Sequence, residues 1–165
     1  MGKAKKGILA LVLFALSATA LADYSIVGKV IKVVDGDTVT ILKDRKQFRI
    51  RLLGIDAPES HQAYGNVSRK RLNDLVYDKT VEAACIEKDF YGRDLCKIII
   101  GGTDINLEMI RAGLAWHYTK GKKSQTNADR RAYQLAEREA REQKIGLWQD
   151  KKPTPPWDFR RNRKK

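Results

Sequence analysis

Phe48-Arg49-Ile50-Arg51-Leu52-Leu53-Gly54-Ile55-Asp56-Ala57-Pro58-Glu59 begins as an alternating strand and ends as an acidic, proline-containing loop, with Gly54 permitting a bend between the two. Upstream, Tyr24–Val34 is rich in valine and isoleucine, and Thr38–Leu42 is a second β-branched run. Downstream, Thr80–Ile86 and Leu95–Ile100 complete a set of about five strands. Three helical patterns accompany them. Residues 66–77 place Val67, Leu72, Leu75 and Val76 on one face, and residues 104–112 start at Asp104 as N-cap and carry Ile105, Leu107, Met109 and Ile110. Behind Thr126-x-x-Asp129, Ala128, Ala132, Leu135, Ala136 and Ala140 recur at helical spacing, with Gly146 as the expected stop. The other face of that helix, including Arg138, Arg141 and Glu142, reads as a solvated mixed-charge surface. Five short strands with helices outside βαβ order predict an α+β domain built on a small barrel.

The chain of 165 residues suits one domain. Its 42% hydrophobic content is enough for a core and too little for a polytopic membrane protein, and 12 Gly with 4 Pro rule out a collagen-like chain. A formal net charge of +13 suits a polyanionic partner, nucleic acid or anionic lipid, although charge for solubility alone would read the same.

Both ends differ from the body. Lys3, Lys5 and Lys6 precede an apolar run, Ile8–Leu16, and Ala20-Leu21-Ala22 has the form of a cleavage site. Residues 1–22 are therefore expected to be a cleaved signal peptide, and the mature chain to be exported to the periplasm or medium; an uncleaved anchor is the weaker reading because the run is short for a bilayer. Residues 23–150 form the expected domain, and 151–165 a basic tail with seven Lys or Arg and one acid. Pro153, Pro155 and Pro156 in that tail are read as breaking any helix, while Trp157 and Phe159 among arginines suit backbone attraction and base stacking, or packing on the body. Export allows Cys85 and Cys96, which flank a turn-like segment, to pair as a disulfide across a hairpin; two unpaired core thiols on one sheet face is the alternative. Two cysteines and two distant histidines lack zinc-ligand spacing, and His61 and His117 read as an exposed and a partly buried histidine.

The chemistry lies in two acidic segments. Asp35-Gly36-Asp37-Thr38 is a tight turn, and Asp56-Ala57-Pro58-Glu59 follows the third strand. Singly, each is an ordinary turn or helix start. If the second and third strands are neighbours, the segments meet at one end of the sheet. Asp37 and Asp56 then offer hard oxygen ligands to a divalent cation alongside a backbone carbonyl and water. Arg51 and, after Gly92, Arg93 supply guanidiniums, and this set suits in-line attack on a phosphodiester: a carboxylate takes the water's proton while the arginines hold the developing charge.

In this order, Asp35-Gly36-Asp37-Thr38, Arg51 to Glu59 and Asp89-Phe90-Tyr91-Gly92-Arg93 resemble the signature blocks of the staphylococcal-type thermonucleases. The resemblance continues through Asn106 to Met109, Gly113 to Tyr118 and Gly146-Leu147-Trp148, and Pro155-Pro156-Trp157 resembles the ending of a bacterial exported subgroup. It implies a five-stranded OB-fold β-barrel with three α-helices, and hydrolysis of DNA and RNA with Ca²⁺ to products ending in 3′-phosphate. It further implies Asp37, Asp56 and the Ala57 carbonyl as metal ligands, Glu59 as general base or water-positioning group, and Arg51 and Arg93 as phosphate-binding catalytic arginines. Arg51 is preferred to Arg49, on the same strand face, because it stands five residues before Asp56. Tyr91 resembles a nucleotide-contacting tyrosine, with Tyr118 the nearest counterpart of another. Phe90 departs from the family pattern, where a basic residue precedes the tyrosine, and the loop through Lys120-Gly121-Lys122-Lys123 also differs. The expected partners are DNA and RNA, with no stable protein partner, no integral membrane segment and a monomeric chain. The rival is a non-catalytic OB-fold module that binds single strands; it is disfavoured because such modules lose the carboxylates or arginines that this chain keeps.

Overall fold

The computed structural model describes residues 23–120 and 125–163; the expected signal segment and residues 121–124 of the lysine-rich loop lie outside them. Strands β1 (Tyr24–Asp35), β2 (Thr38–Lys43) and β3 (Lys46–Leu52) form an antiparallel meander. Asp44 and Arg45 make its second turn, both at positive φ (48° and 64°), the twist a two-residue hairpin needs. The other edge of β1 pairs with β5 (Thr80–Lys88), β5 with β6 (Asp94–Ile100), and β6 with the two-residue β7 (Thr103–Asp104). β6 returns alongside β3 as a parallel pair, Ile50 level with Asp94, Arg51 with Leu95 and Leu52 with Cys96, and so closes a five-stranded barrel. Register shifts after Val30 and after Val33 bend the long β1, as barrel curvature requires. Val30, Val39, Ile41, Ile50, Leu52 and Ile98 fill the interior, each essentially inaccessible to solvent.

The fold is the α+β OB barrel expected, with a fourth helix. α1 (Gly65–Val76), α2 (Ile105–Arg111) and α3 (Asn127–Glu142) occupy the anticipated places, and α4 (Pro156–Asn162) is added from the tail. Pro156 does not break it. It stands at the first helical position, where the missing N–H costs nothing and φ is already helical. Asp104 and Thr126 cap α2 and α3 as expected, accepting from the Leu107 and Asp129 amides at 3.0 Å each.

Three local readings change. Val67 faces solvent, and α1 buries Gly65, Ser68, Leu72 and Val76 instead. In α3 the buried seam is Tyr133, Ala136 and Ala140, while Ala128 and Leu135 are exposed. Gly146 is not the α3 stop. Lys144 takes the left-handed position (φ 53°) and the Ile145 amide reaches back to the Ala140 carbonyl, closing the helix before Gly146 opens a 3₁₀ turn, Gly146–Gln149.

Outside the barrel, Trp116, Ala140, Leu147 and Trp148 form a second apolar cluster, covered in part by Trp157. Arg141, expected on a solvated face, lies 3.9 Å from the Trp148 ring centroid and 4.8 Å from that of Trp116. His117 is buried, with Nε2 3.2 Å from Gln125 Oε1. Among the described residues no helix is long and apolar enough to cross a membrane.

Cys85 and Cys96 sit directly opposite in the β5–β6 ladder, fully buried, and their Sγ atoms are bonded. With the bridged positions 11 apart in sequence, the chain-entropy account assigns the bridge about 3 kcal/mol. Equilibrium unfolding in guanidinium with and without a thiol-free reductant such as TCEP measures it: reduction is expected to lower the unfolding free energy by about that amount. Coincident curves would show that the bridge contributes nothing.

Candidate active site

Five strands bring the two acidic segments to one rim of the barrel, because β2 and β3 are neighbours with Thr38 level with Arg51. The Asp35–Asp37 turn is pressed against α1 and the second acidic segment. A Cβ on Gly36 would lie 1.9 Å from Ser68 Oγ and 2.7 Å from the Ala57 Cβ. That hydroxyl has no room to yield, since it donates to the Leu114 carbonyl at 2.7 Å. Glycine is therefore the residue that lets Asp37 reach the second segment.

Asp37 is almost wholly buried and fully engaged. Its carboxylate accepts from the Ala57 amide at 2.6 Å and the Thr38 hydroxyl at 3.1 Å, and its own amide donates to Asp35. Asp56, 1% exposed, is held by a two-residue strand pair that the sequence pattern did not reveal: β4 (Ile55–Asp56) lies antiparallel to β8 (Trp116–His117). The bend before it requires Gly54, at φ +75°, with Gln125 packed where a side chain would stand.

Arg51 joins the two acids. Its Nη1 lies 3.1 Å from Asp37 Oδ2 and its Nη2 2.9 Å from Asp56 Oδ1, while Nη1 also donates to the Leu52 carbonyl. The side chain is 13% exposed, so this guanidinium is the internal counter-charge of a largely buried acidic pair. Burial drives the Asp37 carboxyl up to about 8; Arg51 pulls it down, and the neighbouring Asp35 and Asp56 charges push it up again.

Glu59 stands at the rim, half-buried, and Arg160 of α4 reaches across to it. Arg160 Nη1 donates to Glu59 Oε1 at 2.7 Å and to Asp56 Oδ1 at 3.1 Å, and Nη2 donates to Asp56 Oδ2 at 2.7 Å. These bonds, led by those to Asp56, raise the Arg160 pKa above that of free arginine. The opposite wall is the β5–β6 turn. There Asp89 accepts the Tyr91 and Arg93 amides at 2.9 Å each and the Arg93 Nε at 2.7 Å. Burial lifts the Asp89 carboxyl, but these bonds to Arg93 and Tyr91 outweigh it and hold the group below its ordinary value. Tyr91 is exposed, with the Arg93 guanidinium 5.5 Å from its ring centroid. Tyr118 approaches Trp157, ring centroids 5.8 Å apart.

All these groups line one cleft of about 700 Å³: Asp37, Arg51, Asp56, Ala57, Glu59, Tyr91, Arg93, Tyr118 and Arg160. Arg49 lines it too, one strand pair further from the acids. His61 is exposed and absent from it. Sequence reasoning missed Arg160, and gave no role to Asp35 or to Asp89 as the clamp of Arg93.

Among the described residues, no three His, Cys, Asp or Glu side chains converge to hold a metal ion by themselves. The donors present are nonetheless the hard oxygens a Ca²⁺ or Mg²⁺ ion takes, two buried carboxylates with a third at the rim and the Ala57 carbonyl, which leaves the remainder to water. The Arg160 guanidinium seated on Asp56 and Glu59 places a positive charge at this corner.

Residues 49–150 match the family model described as staphylococcal nuclease homologue. The chain is 43% identical over 151 residues to an uncharacterized endonuclease of Escherichia coli, covering 91% of this chain and 94% of that one. It is 39% identical over 167 residues to a micrococcal nuclease of Shigella flexneri, covering 96% and 92%. A staphylococcal-like nuclease of Arabidopsis thaliana, CAN1, is 39% identical over 121 residues, which is 72% of this chain and 35% of the longer plant protein. With the barrel, the acidic rim and these matches together, the chain belongs to the staphylococcal nuclease homologue family.

Proposed function

We propose that the chain is an exported, Ca²⁺-dependent endonuclease that hydrolyses phosphodiester bonds of DNA and RNA and leaves 3′-phosphate ends. The observation that carries this reading is the Asp37–Arg51–Asp56 cluster, open to a cleft that also presents Glu59 and Arg93. Asp37, Asp56 and the Ala57 carbonyl would hold the cation, which would supply Lewis-acid polarisation of the phosphate and of the attacking water. Glu59 takes the proton of the attacking water. Arg51 donates to Asp56 and to the Leu52 carbonyl and lies beside Asp37, and its remaining donor hydrogens would bind the phosphoryl oxygens. Arg93, pre-aimed by Asp89, binds the same phosphate from the other wall, where charge builds in the pentacoordinate state. Tyr91 and Tyr118 contact the nucleotides that flank it.

Cleavage of DNA and RNA by residues 23–165, in Ca²⁺ and then in EGTA, tests the reading. Cutting in Ca²⁺ that stops in EGTA is expected. Tight, salt-sensitive binding without cutting in any divalent metal would make the domain a single-strand-binding module instead.

The raised Asp37 carboxyl gives a second test. In the metal-free native chain Asp37 keeps its proton up to about pH 8, whereas the unfolded chain releases it near the ordinary carboxylate value. The native state thus binds the extra proton, and this contribution to stability is lost as pH rises through 8. A cation that needs the ionised carboxylate displaces that proton below pH 8 and none above it. Thermal unfolding with Ca²⁺ and with EGTA is therefore expected to show a larger Ca²⁺ increment in Tm at pH 9 than at pH 6. An increment that is equal at both, or larger at pH 6, would remove Asp37 from the metal site.

A further inference from the structure

The tail is not a loose basic appendage. Pro156 is buried, and the Trp157 ring lies 5.6 Å from that of Trp116 and 5.8 Å from that of Tyr118. Phe159 lines a small pocket with Pro58, Tyr64 and Leu147, and Gln62 Nε2 donates to the Thr154 carbonyl. The backbone of α4 is thereby fixed against the body, and the freedom left to Arg160 is that of its own side chain, 43% exposed.

Its guanidinium bonds both oxygens of Asp56 and one of Glu59. Asp56 Oδ1 already accepts from both Arg51 and Arg160, and Oδ2 accepts from Arg160, so a divalent ion drawn to this carboxylate competes with the Arg160 guanidinium for its acceptor sites and its charge. Once released, the guanidinium cannot leave, because α4 keeps its stem at the mouth of the cleft beside Arg51 and Tyr118. A planar fork of donors freed beside the scissile position is suited to a phosphate oxygen pair. Resting on the nuclease reading, we propose that Arg160 is an exchangeable cation: it neutralises Asp56 and Glu59 in the metal-free protein and passes to a substrate phosphate when a divalent ion takes Asp56, which also frees Glu59.

The exchange makes two effects of opposite sign from one substitution. Residues 23–165 carrying Arg160→Ala are titrated with Ca²⁺ by calorimetry in the absence of nucleic acid. They are also titrated with a nuclease-resistant phosphorothioate oligonucleotide by fluorescence anisotropy, in Ca²⁺ and in EGTA. Loss of the competing charge-assisted bonds is expected to tighten Ca²⁺ binding about tenfold or more, and oligonucleotide binding is expected to weaken several-fold in Ca²⁺ while staying unchanged in EGTA. Arg160→Lys keeps the charge without the fork and should fall between. Arg163→Ala, which removes one tail charge just past α4, is expected to alter neither the Ca²⁺ affinity nor the Ca²⁺-dependent part of oligonucleotide binding. Unchanged Ca²⁺ affinity in Arg160→Ala, equal weakening in Ca²⁺ and EGTA, or no Ca²⁺ binding by either protein would each overturn the exchange. The calorimetric arm involves no cleavage, so a chain that shows the affinity shift yet never cuts would remove the nuclease reading and leave the competition at Asp56 standing.

Discussion

Arg51→Ala is expected to abolish measurable turnover, a fall of about a thousandfold or more (~4 kcal/mol) at saturating Ca²⁺ and substrate. Two losses coincide. The phosphate loses a charged donor at the point where charge accumulates, and Asp37 and Asp56 lose the guanidinium that joins them. The second loss is visible without any substrate. Removing one partner from a buried ionic cluster leaves uncompensated charge and costs about 3 kcal/mol of folding stability. The pH dependence has a definite sign. Without Arg51 the native Asp37 carboxyl rises further, so the native state holds its proton more tightly; the stability deficit is present at pH 9 and shrinks as the pH falls through that raised value. Denaturant unfolding of the metal-free proteins at pH 9 and pH 6 measures this. Arg51→Lys separates the roles: a point charge should recover much of the stability but little of the turnover, since an ammonium cannot bridge two carboxylates and a phosphate at once. A lysine variant with near-normal turnover would show that charge alone suffices there.

Glu59→Gln has the next largest expected effect. The amide is nearly the same shape and still accepts the Arg160 bond at its oxygen, but it cannot take a proton from water. Turnover should drop by about 10²–10⁴, with oligonucleotide affinity changed far less. Single-turnover cleavage read beside anisotropy distinguishes the two. Unchanged turnover would exclude Glu59 as the base, and a parallel loss of affinity and turnover would make it a binding residue.

The parts of this site legible in the sequence were those carried by turn chemistry and short spacing. Asp35-Gly36-Asp37 is a tight turn, and Arg51 and Asp56 are five residues apart across a glycine bend; adjacency of two strands then places all of them on one rim. The parts that escaped depend on tertiary pairing without periodicity. β4 and β8 are two residues each, too short for any alternation to be seen, yet they hold Asp56. Arg160 meets Asp56 across 104 residues of chain, and the prolines before it read as a barrier although Pro156 begins the helix that carries it. In α3 the alanines marked a helix correctly but not its buried face, because Tyr133, an aromatic with its hydroxyl on Asp104, fills the place that Leu135 was expected to take. Arg141 likewise read as surface charge, since nothing local announces two tryptophans arriving from Trp116 and Trp148.

The separation between Arg160 and the rim has a consequence for the order in which the protein matures. Synthesis delivers the acids first: Asp37, Arg51, Asp56 and Glu59 lie in the first barrel strands and the loop after them, and the parallel β3–β6 seam can form as soon as residue 100 or so is available. At that stage Arg51 is already paired with Asp37 and Asp56, while Glu59 still lacks the Arg160 guanidinium. Arg160 arrives only when α4, 104 residues beyond Asp56, docks on the tryptophan cluster. Completion of the rim therefore waits on a segment made long after the acids it neutralises, and fragments that stop short of α4 would carry an acidic rim open to whatever cation meets it first.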